Sequence, residues 1–304
     1  MTLQIGSLEI DRIGLGTWAL GGGKDWGETL ADQAYATVSA AIDRGIVLID
    51  TAPVYGAGTS EEIIGRAISS CRQRVALATK CGICLREGRP DHDLRPQRIL
   101  QECENSLRRL QTDYIDLYQI HWPDPKVPLT EAVGTLTRLQ EQGKIRAIGL
   151  CNVSAEQVKQ ASEVAPITSV QSRLSLLDQK TLSLAAFCQQ RGIYFWAYGV
   201  LGGGILTGKY TQMPNLRRCD ARRYFYPHYF GEGFHAAMSV TQRVKTVAQQ
   251  RQVPPSAVAL AWTLAQPGVR GVLAGARTSA QVTENIQALS LQLSAQEQEF
   301  LRGK

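Results

Sequence analysis

An α/β fold, in which eight parallel strands alternate with helices and close into a barrel, is what the pattern of this chain predicts. Three observations carry that expectation. Eight short runs are rich in β-branched and other apolar residues, helical patterns fill the intervals between them, and three of the runs stop at a polar side chain. Alternation of this kind implies a parallel sheet, and closing the sheet on itself leaves no unpaired edge. The expected class is a (β/α)8 TIM barrel, one domain over residues 1–304, because barrels of this type commonly reach such a length without dividing. No proline-rich linker or charge block cuts the chain.

The elements follow in order. Leu3–Ile5 and Leu8–Ile10 flank Gly6-Ser7 and read as a β-hairpin that plugs the N-terminal end of the barrel. The eight strands are expected at Ile13–Gly16, Ile46–Ile49, Val75–Thr79, Tyr114–Ile120, Ala147–Leu150, Thr168–Gln171, Ile193–Ala197 and Gly271–Ala274. Ile99, Leu100, Cys103, Leu107 and Leu110 share one helical face, and Ala132, Val133, Leu136 and Leu139 share another. Ser154 and Asp178 stand where N-caps would open the next helices. The stretch from Lys209 to Ser239, after the seventh strand, is too irregular for a helix and too aromatic for a linker. It is expected to be a long functional loop.

Composition excludes several classes. With 44% hydrophobic and 20% charged residues the chain reads as an ordinary soluble enzyme, and no window is long enough to span a bilayer. No basic n-region or apolar h-region follows Met1, so a cytoplasmic location is expected, with no membrane partner. Seven cysteines are an odd number and scattered, which argues against a disulfide framework. Cys81 and Cys84 form a C-x-x-C pair, but no second pair sits at zinc spacing, so they read as plain thiols and no metal is expected. A formal charge of +6 is mild over this length and does not call for nucleic acid. The dense basic cluster of Arg217, Arg218, Arg222 and Arg223 lies beside Tyr224, Phe225 and Tyr226 and reads as surface loop, whose aromatic residues could wall an apolar pocket and whose arginines could attract an acidic substrate.

The polar residues at the strand ends point to chemistry. Ile46–Ile49 leads into Asp50, Val75–Thr79 into Lys80, and Tyr114–Ile120 into His121. The ends of parallel strands are where such folds keep their active sites. With Tyr55 added, the set suits proton transfer to a carbonyl oxygen, with hydride supplied by a cofactor. A phenol titrates near pH ~10 and needs a neighbouring cation to act as an acid at neutral pH. Lys80 is expected to be that cation, drawing the Tyr55 pKa down. Asp50 would hold the lysine charged and in place, and His121 would orient the carbonyl oxygen.

Two nucleotide signatures nearly match. Gly14-Leu15-Gly16-Thr17-Trp18-Ala19 fits G-x-G-x-x-[GA], yet Gly21-Gly22-Gly23 prolongs a loop where a dinucleotide fingerprint needs a helix. Gly203 to Lys209 fits G-x-x-x-x-G-K, but Tyr210 stands where a magnesium-binding Ser or Thr is required. What remains is physical: Gly202, Gly203, Gly204 and Gly208 let backbone amides approach an anion, and Lys209 adds positive charge, so this segment reads as a pyrophosphate cradle.

Several segments together resemble the aldo-keto reductase family: Gly16-Thr17-Trp18-Ala19-Leu20-Gly21-Gly22, Asp50-Thr51-Ala52-x-x-Tyr55-Gly56-x-Gly58-x-Ser60-Glu61, Thr79-Lys80, His121-Trp122-Pro123-Asp124-Pro125 and Gly275-Ala276-Arg277. The resemblance runs from Gly14 to about Leu289. It implies NADPH or NADP+ bound across the C-terminal rim and reduction of small-molecule aldehydes or ketones, with Asp50, Tyr55, Lys80 and His121 catalytic. It further implies that Thr17, Trp18 and Asp50 border the cofactor, that Asn152 and Gln171 hold its carboxamide, and that Tyr198 stacks on the nicotinamide. Gly199, Leu201, Gly203 and Lys209 would follow the pyrophosphate. Gly275, Arg277, Gln281, Glu284 and Asn285 match the adenosine end, where a guanidinium can grip a 2′-phosphate and favour NADPH over NADH. Trp26 and Trp122 would wall the substrate pocket. Relatives of the family also include channel-associated subunits that act by binding, which is the alternative class of function. The chain departs from the family pattern at Cys151, Val153, Leu174, Leu273 and Ala274, none of which removes a catalytic group.

Overall fold

The structure, a computed structural model, describes residues 3–5, 7–86 and 89–303. Strands β1 (Leu3–Ile5) and β2 (Leu8–Ile10) pair antiparallel. Gly6 of the expected turn lies outside the described residues. The barrel strands are β3 (Ile13–Gly16), β4 (Leu48–Asp50) and β5 (Ala76–Cys81), and a second hairpin, β6 (Ile83–Arg86) with β7 (Arg89–His92), follows β5. The remaining five are β8 (Ile115–Ile120), β9 (Ile145–Cys151), β10 (Ser169–Arg173), β11 (Tyr194–Tyr198) and β12 (Val269–Gly275). Every neighbouring pair in the barrel is parallel, and β12 pairs back onto β3 to close it. The eight expected strands are thus the eight barrel strands.

Strand alternation sorts side chains to two cores. Leu48, Ala76, Ala78, Leu117, Ala147, Trp196 and Leu273 point inward and pack with Ile5 and Ile10, so the first hairpin does plug the barrel from below. Ile49, Leu77, Tyr118, Ile120, Ile148 and Leu150 point outward into the helices. The helix Pro96–Leu110 buries Ile99, Cys103, Leu107 and Leu110 there, and Leu129–Glu141 buries Ala132, Val133, Leu136 and Leu139. Gly271 has a packing reason: a Cβ would lie 2.3 Å from the Trp196 ring that fills the barrel at this level.

Two local expectations are corrected. Ser154 caps Ala155–Ser162 through a capping box with Gln157, as expected, but Asp178 caps no helix. The next helix, Leu182–Gln190, opens after Thr181, and Asp178 instead bridges to Ser175 in a turn where its carboxylate accepts from Lys180 N. From Lys209, the stretch after β11 is irregular only as far as Asp220. Asp220 caps a short helix at Ala221–Phe225, and a long helix runs Gly231–Arg251, starting eight residues before Ser239. Gly231 and Gly233 hide that start from propensity, while burial of Phe234 and Ala237 against Tyr226 and Tyr229 stabilises it. Among the described residues no helix is long and apolar enough to cross a membrane, and all seven cysteines are free thiols.

Candidate active site

The C-terminal rim collects the inward-facing polar residues. Parity along β4, β5 and β8 puts Asp50, Lys80 and Gln119 on the same side as the interior Leu48, Ala78 and Leu117, and His121 follows at the next inward step. Lys80 is fully buried, and its ammonium spends all three donors: 2.7 Å to Asp50 Oδ2, 2.8 Å to the Thr51 carbonyl and 3.4 Å to the Tyr55 hydroxyl oxygen. The His121 ring stands edge-on to Tyr55 with centroids 5.9 Å apart. The four side chains expected together are therefore brought together.

Tyr55 is held by backbone packed on backbone. A Cβ on Gly56, which sits at φ 61°, would lie 2.1 Å from the Gly21 carbonyl oxygen, and one on Gly21 would lie 2.7 Å from the Tyr55 carbonyl carbon. Only glycine permits that approach. Beneath it the Ser60 hydroxyl donates to Thr17 Oγ1, and Thr17 Oγ1 donates to the Asp50 carbonyl. Thr17 is fully buried, with its hydroxyl committed to holding the end of β4.

Burial and charge compete at these groups. Burial pushes the Tyr55 phenol up to about 12, outweighing the opposite pull of Lys80. The expected net lowering by lysine is thus corrected: the cation offsets part of the desolvation without overcoming it. Lys80 is raised above its ordinary value although burial opposes this, because the charge of Asp50 and the smaller contribution of Tyr55 favour the ammonium. Burial, reinforced by Lys80, holds His121 well below the usual imidazole range, so it is neutral. Burial likewise pushes the Cys151 and Cys81 thiols up. Cys81 packs outward into the helix–strand core, which removes the electropositive surroundings that a reactive thiol needs.

The residues expected at a cofactor lie along one arc of the rim. Asn152, at φ 57°, donates from Nδ2 to the His121 carbonyl at 3.0 Å and accepts the Tyr198 hydroxyl at 2.7 Å. Gln171 donates to Asp50 Oδ1 at 2.9 Å. Gly199, Gly203, Gly204 and Gly208 all have positive φ, and Leu201 and the exposed Lys209 flank them. At the far end Gly275 accepts from Asn285, and Gln281 accepts from Arg277 N at 2.8 Å. The Arg277 guanidinium donates to the carbonyls of Glu28, at 2.6 Å, and Trp26, at 3.3 Å. Glu284 is exposed on the same helix, Ser279–Ile286.

Aromatic residues fill the mouth. Trp18 stacks on Tyr55 at 5.9 Å and meets Trp26 and Phe225 edge-on at 5.4 and 5.0 Å. Trp122, half-buried directly after His121, lies outside this cluster. The basic and aromatic segment read as a surface loop instead crosses the rim. The Tyr224 hydroxyl donates to Asp25, Tyr226 packs over Gly203, and the Tyr229 hydroxyl donates to the Gly203 carbonyl. Sequence reasoning offered Phe225 as a pocket wall without placing its contacts, and it missed the inward position of Gln119. The second was legible, because Gln119 shares the parity of His121; the first depends on a five-residue helix too short to leave a periodic signature.

A parallel barrel whose rim carries a buried lysine hydrogen-bonded to a tyrosine, beside a glycine-rich turn with a basic flank, is equipped for proton transfer next to an anionic ligand. The model of the Aldo/keto reductase family matches residues 12–303, and this chain belongs to that family. The aldo-keto reductase YhdN of Bacillus subtilis (strain 168) is 41% identical over 280 residues, which is 90% of this chain and 84% of that one. The NADH-specific methylglyoxal reductase of Escherichia coli (strain K12) is 34% identical over 311 residues, 97% of this chain and 94% of that one. Among solved structures, the glycerol dehydrogenase AKR11B4 from Gluconobacter oxydans has a TM-score of 0.90 at 36% identity, over 99% of this chain and 94% of that one. The chain is thus an oxidoreductase of a family that reduces carbonyl compounds with a nicotinamide cofactor.

Proposed function

We propose that this protein reduces aldehydes or ketones to alcohols with NADPH, using Tyr55 as the proton donor. The observation that carries this reading is the hydrogen bond from Lys80 to the Tyr55 hydroxyl oxygen. Because the phenol oxygen accepts from the ammonium, its own proton is turned away from Lys80, toward the mouth. As negative charge develops on a carbonyl oxygen there, Tyr55 delivers that proton, and the phenolate left behind faces a fixed cation. His121, kept neutral, donates an N–H to the same oxygen without competing as the stronger acid. Asp50 keeps Lys80 charged at this spot.

The residues along the rim fit a dinucleotide by their chemistry. Asn152 and Gln171 offer amides for a carboxamide, Tyr198 an aromatic face, and the turn from Gly199 through Gly203 to Lys209 backbone amides and a cation for a pyrophosphate. When bound, the nicotinamide supplies the hydride. Gly275, Arg277, Gln281, Glu284 and Asn285 frame the adenosine end, and Trp18 borders the opposite wall, whereas the fully buried Thr17 stands behind it and holds the end of β4. The choice of NADPH rests on Arg277, whose guanidinium suits a 2′-phosphate, against an Escherichia coli relative named as NADH-specific. Trp26 and Trp122 are assigned to the substrate pocket. Relatives named for methylglyoxal and glycerol point to small, oxygen-rich carbonyls.

The test is consumption of NADPH by purified protein over a panel of such aldehydes and ketones. Tyr55→Phe is expected to abolish turnover while NADPH binding persists. Turnover retained in that variant would remove Tyr55 as the acid.

A further inference from the structure

Resting on the proton-donor reading of Tyr55, we infer that Gln119 is a positioning residue, the buried amide that locks the Asp50 carboxylate against Lys80. Gln119 lies inside the barrel on β8 and is fully buried. At the levels below it the interior is filled by Leu117, Ala147 and Trp196, so an amide here is costly unless its polar atoms are paired. They are. Its Nε2 donates to Asp50 Oδ1 at 3.1 Å, and its Oε1 accepts from Gln171 Nε2 at 3.4 Å and from Cys151 Sγ at 3.6 Å. The orientation of the amide is therefore dictated: an ionised carboxylate only accepts, so the nitrogen must face Asp50.

The consequence is a carboxylate with both oxygens committed. Oδ2 takes the ammonium of Lys80 at 2.7 Å, and Oδ1 takes one N–H from Gln119 and one from Gln171 at 2.9 Å. Rotation of the Asp50 side chain would break all three bonds at once. Lys80, held by that fixed anion and by the Thr51 carbonyl, keeps its third donor on Tyr55. Gln171 is held chiefly by its own 2.9 Å bond to Asp50 Oδ1, and the 3.4 Å contact with Gln119 Oε1 is the weaker of its two. Cys151 gains a purpose in the same network: its thiol donates to the Gln119 oxygen and helps set the amide.

Two variants test this. Gln119→Met keeps the length of the side chain and removes both polar ends. A hydrogen bond to a charged acceptor accounts for a loss in kcat of about 10- to 100-fold, with KM for the aldehyde and Kd for NADPH within about threefold of the unaltered protein. Gln119→Glu supplies a donor only while protonated, so its kcat is expected to climb as pH falls, whereas the unaltered protein is flat over the same range. Wild-type kcat in Gln119→Met, a rise in KM with kcat unchanged, or a Gln119→Glu profile parallel to that of the unaltered protein would each overturn the inference. Tyr55→Phe, run alongside, separates the two failures. Turnover surviving in Tyr55→Phe overturns the proton-donor reading and this inference with it, while an inert Tyr55→Phe beside a fully active Gln119→Met overturns this inference alone.

Discussion

Phe225 and Tyr198 are neighbours, with ring centroids 6.3 Å apart and planes tilted by 35°. Trp18 meets the same phenyl ring edge-on at 5.0 Å, and the Arg173 guanidinium sits 4.2 Å from its centroid. A side chain of the protein thus stands beside the aromatic ring proposed to receive a nicotinamide. If Phe225 stands in the path of the cofactor, binding displaces it, and an aromatic pair of this kind contributes about 0.5–1.5 kcal/mol. Phe225→Ala is expected to tighten NADPH by about two- to tenfold and to speed its association, measured by stopped-flow quenching of tryptophan fluorescence. Unchanged rate and Kd would mean that Phe225 does not stand in the path.

Lys80 and Asp50 pair at 2.7 Å where both are almost wholly out of water. Removing one partner strands the other charge, at a cost of about 3–5 kcal/mol. Lys80→Met alone is therefore expected to lose both turnover and that much stability in urea unfolding. The double variant Asp50→Asn with Lys80→Met removes both charges and should regain most of the stability while staying inactive. A double variant as unstable as the single one would assign the damage to lost packing instead.

Most of the barrel was legible because its physics is local. Short apolar runs between helical faces mark buried parallel strands, and a polar residue closing such a run has to emerge at the rim, which is why Asp50, Lys80 and His121 could be placed from the sequence. Tyr55 lies on a loop, and its position depends on the close approach of Gly21 and Gly56, which only the folded backbone reveals. Phe225 and Tyr226, named as candidate pocket walls, could not be placed for a related reason. Their helix is five residues long and stabilised by what it touches across the mouth. The sign of the Tyr55 shift also depends on how much surface closes over it, a quantity absent from any motif.

Tyr55 and His121 predict a pH profile. Tyr55 is raised to about 12, so the protonated donor is lost only as pH rises through that value, beyond the working range. His121 is held neutral by burial and by Lys80, so it does not take up a proton near its ordinary pKa of about 6.5. Reduction at saturating cofactor should therefore be flat between about pH 6.5 and 9, and a break near 7 would point to a titrating His121. Stability responds differently. Below about pH 6.5 the unfolded chain protonates this histidine and the folded one does not, so Tm should fall with pH there, less steeply in His121→Gln.

Arg277 separates cofactor selection from structure, because its guanidinium already donates to the Glu28 and Trp26 carbonyls. If it also grips a 2′-phosphate, Arg277→Ala loses a charge-assisted contact with about 1.5–3 kcal/mol at stake, and NADPH weakens by about 10- to 100-fold while NADH changes little. If its work is confined to the two carbonyls, the segment carrying Trp26 loosens, and both cofactors weaken by the same factor. Titration of each cofactor by fluorescence tells these apart without any substrate. The ratio of the two losses is the informative quantity, since a general loosening of the rim cancels from it and a phosphate contact does not.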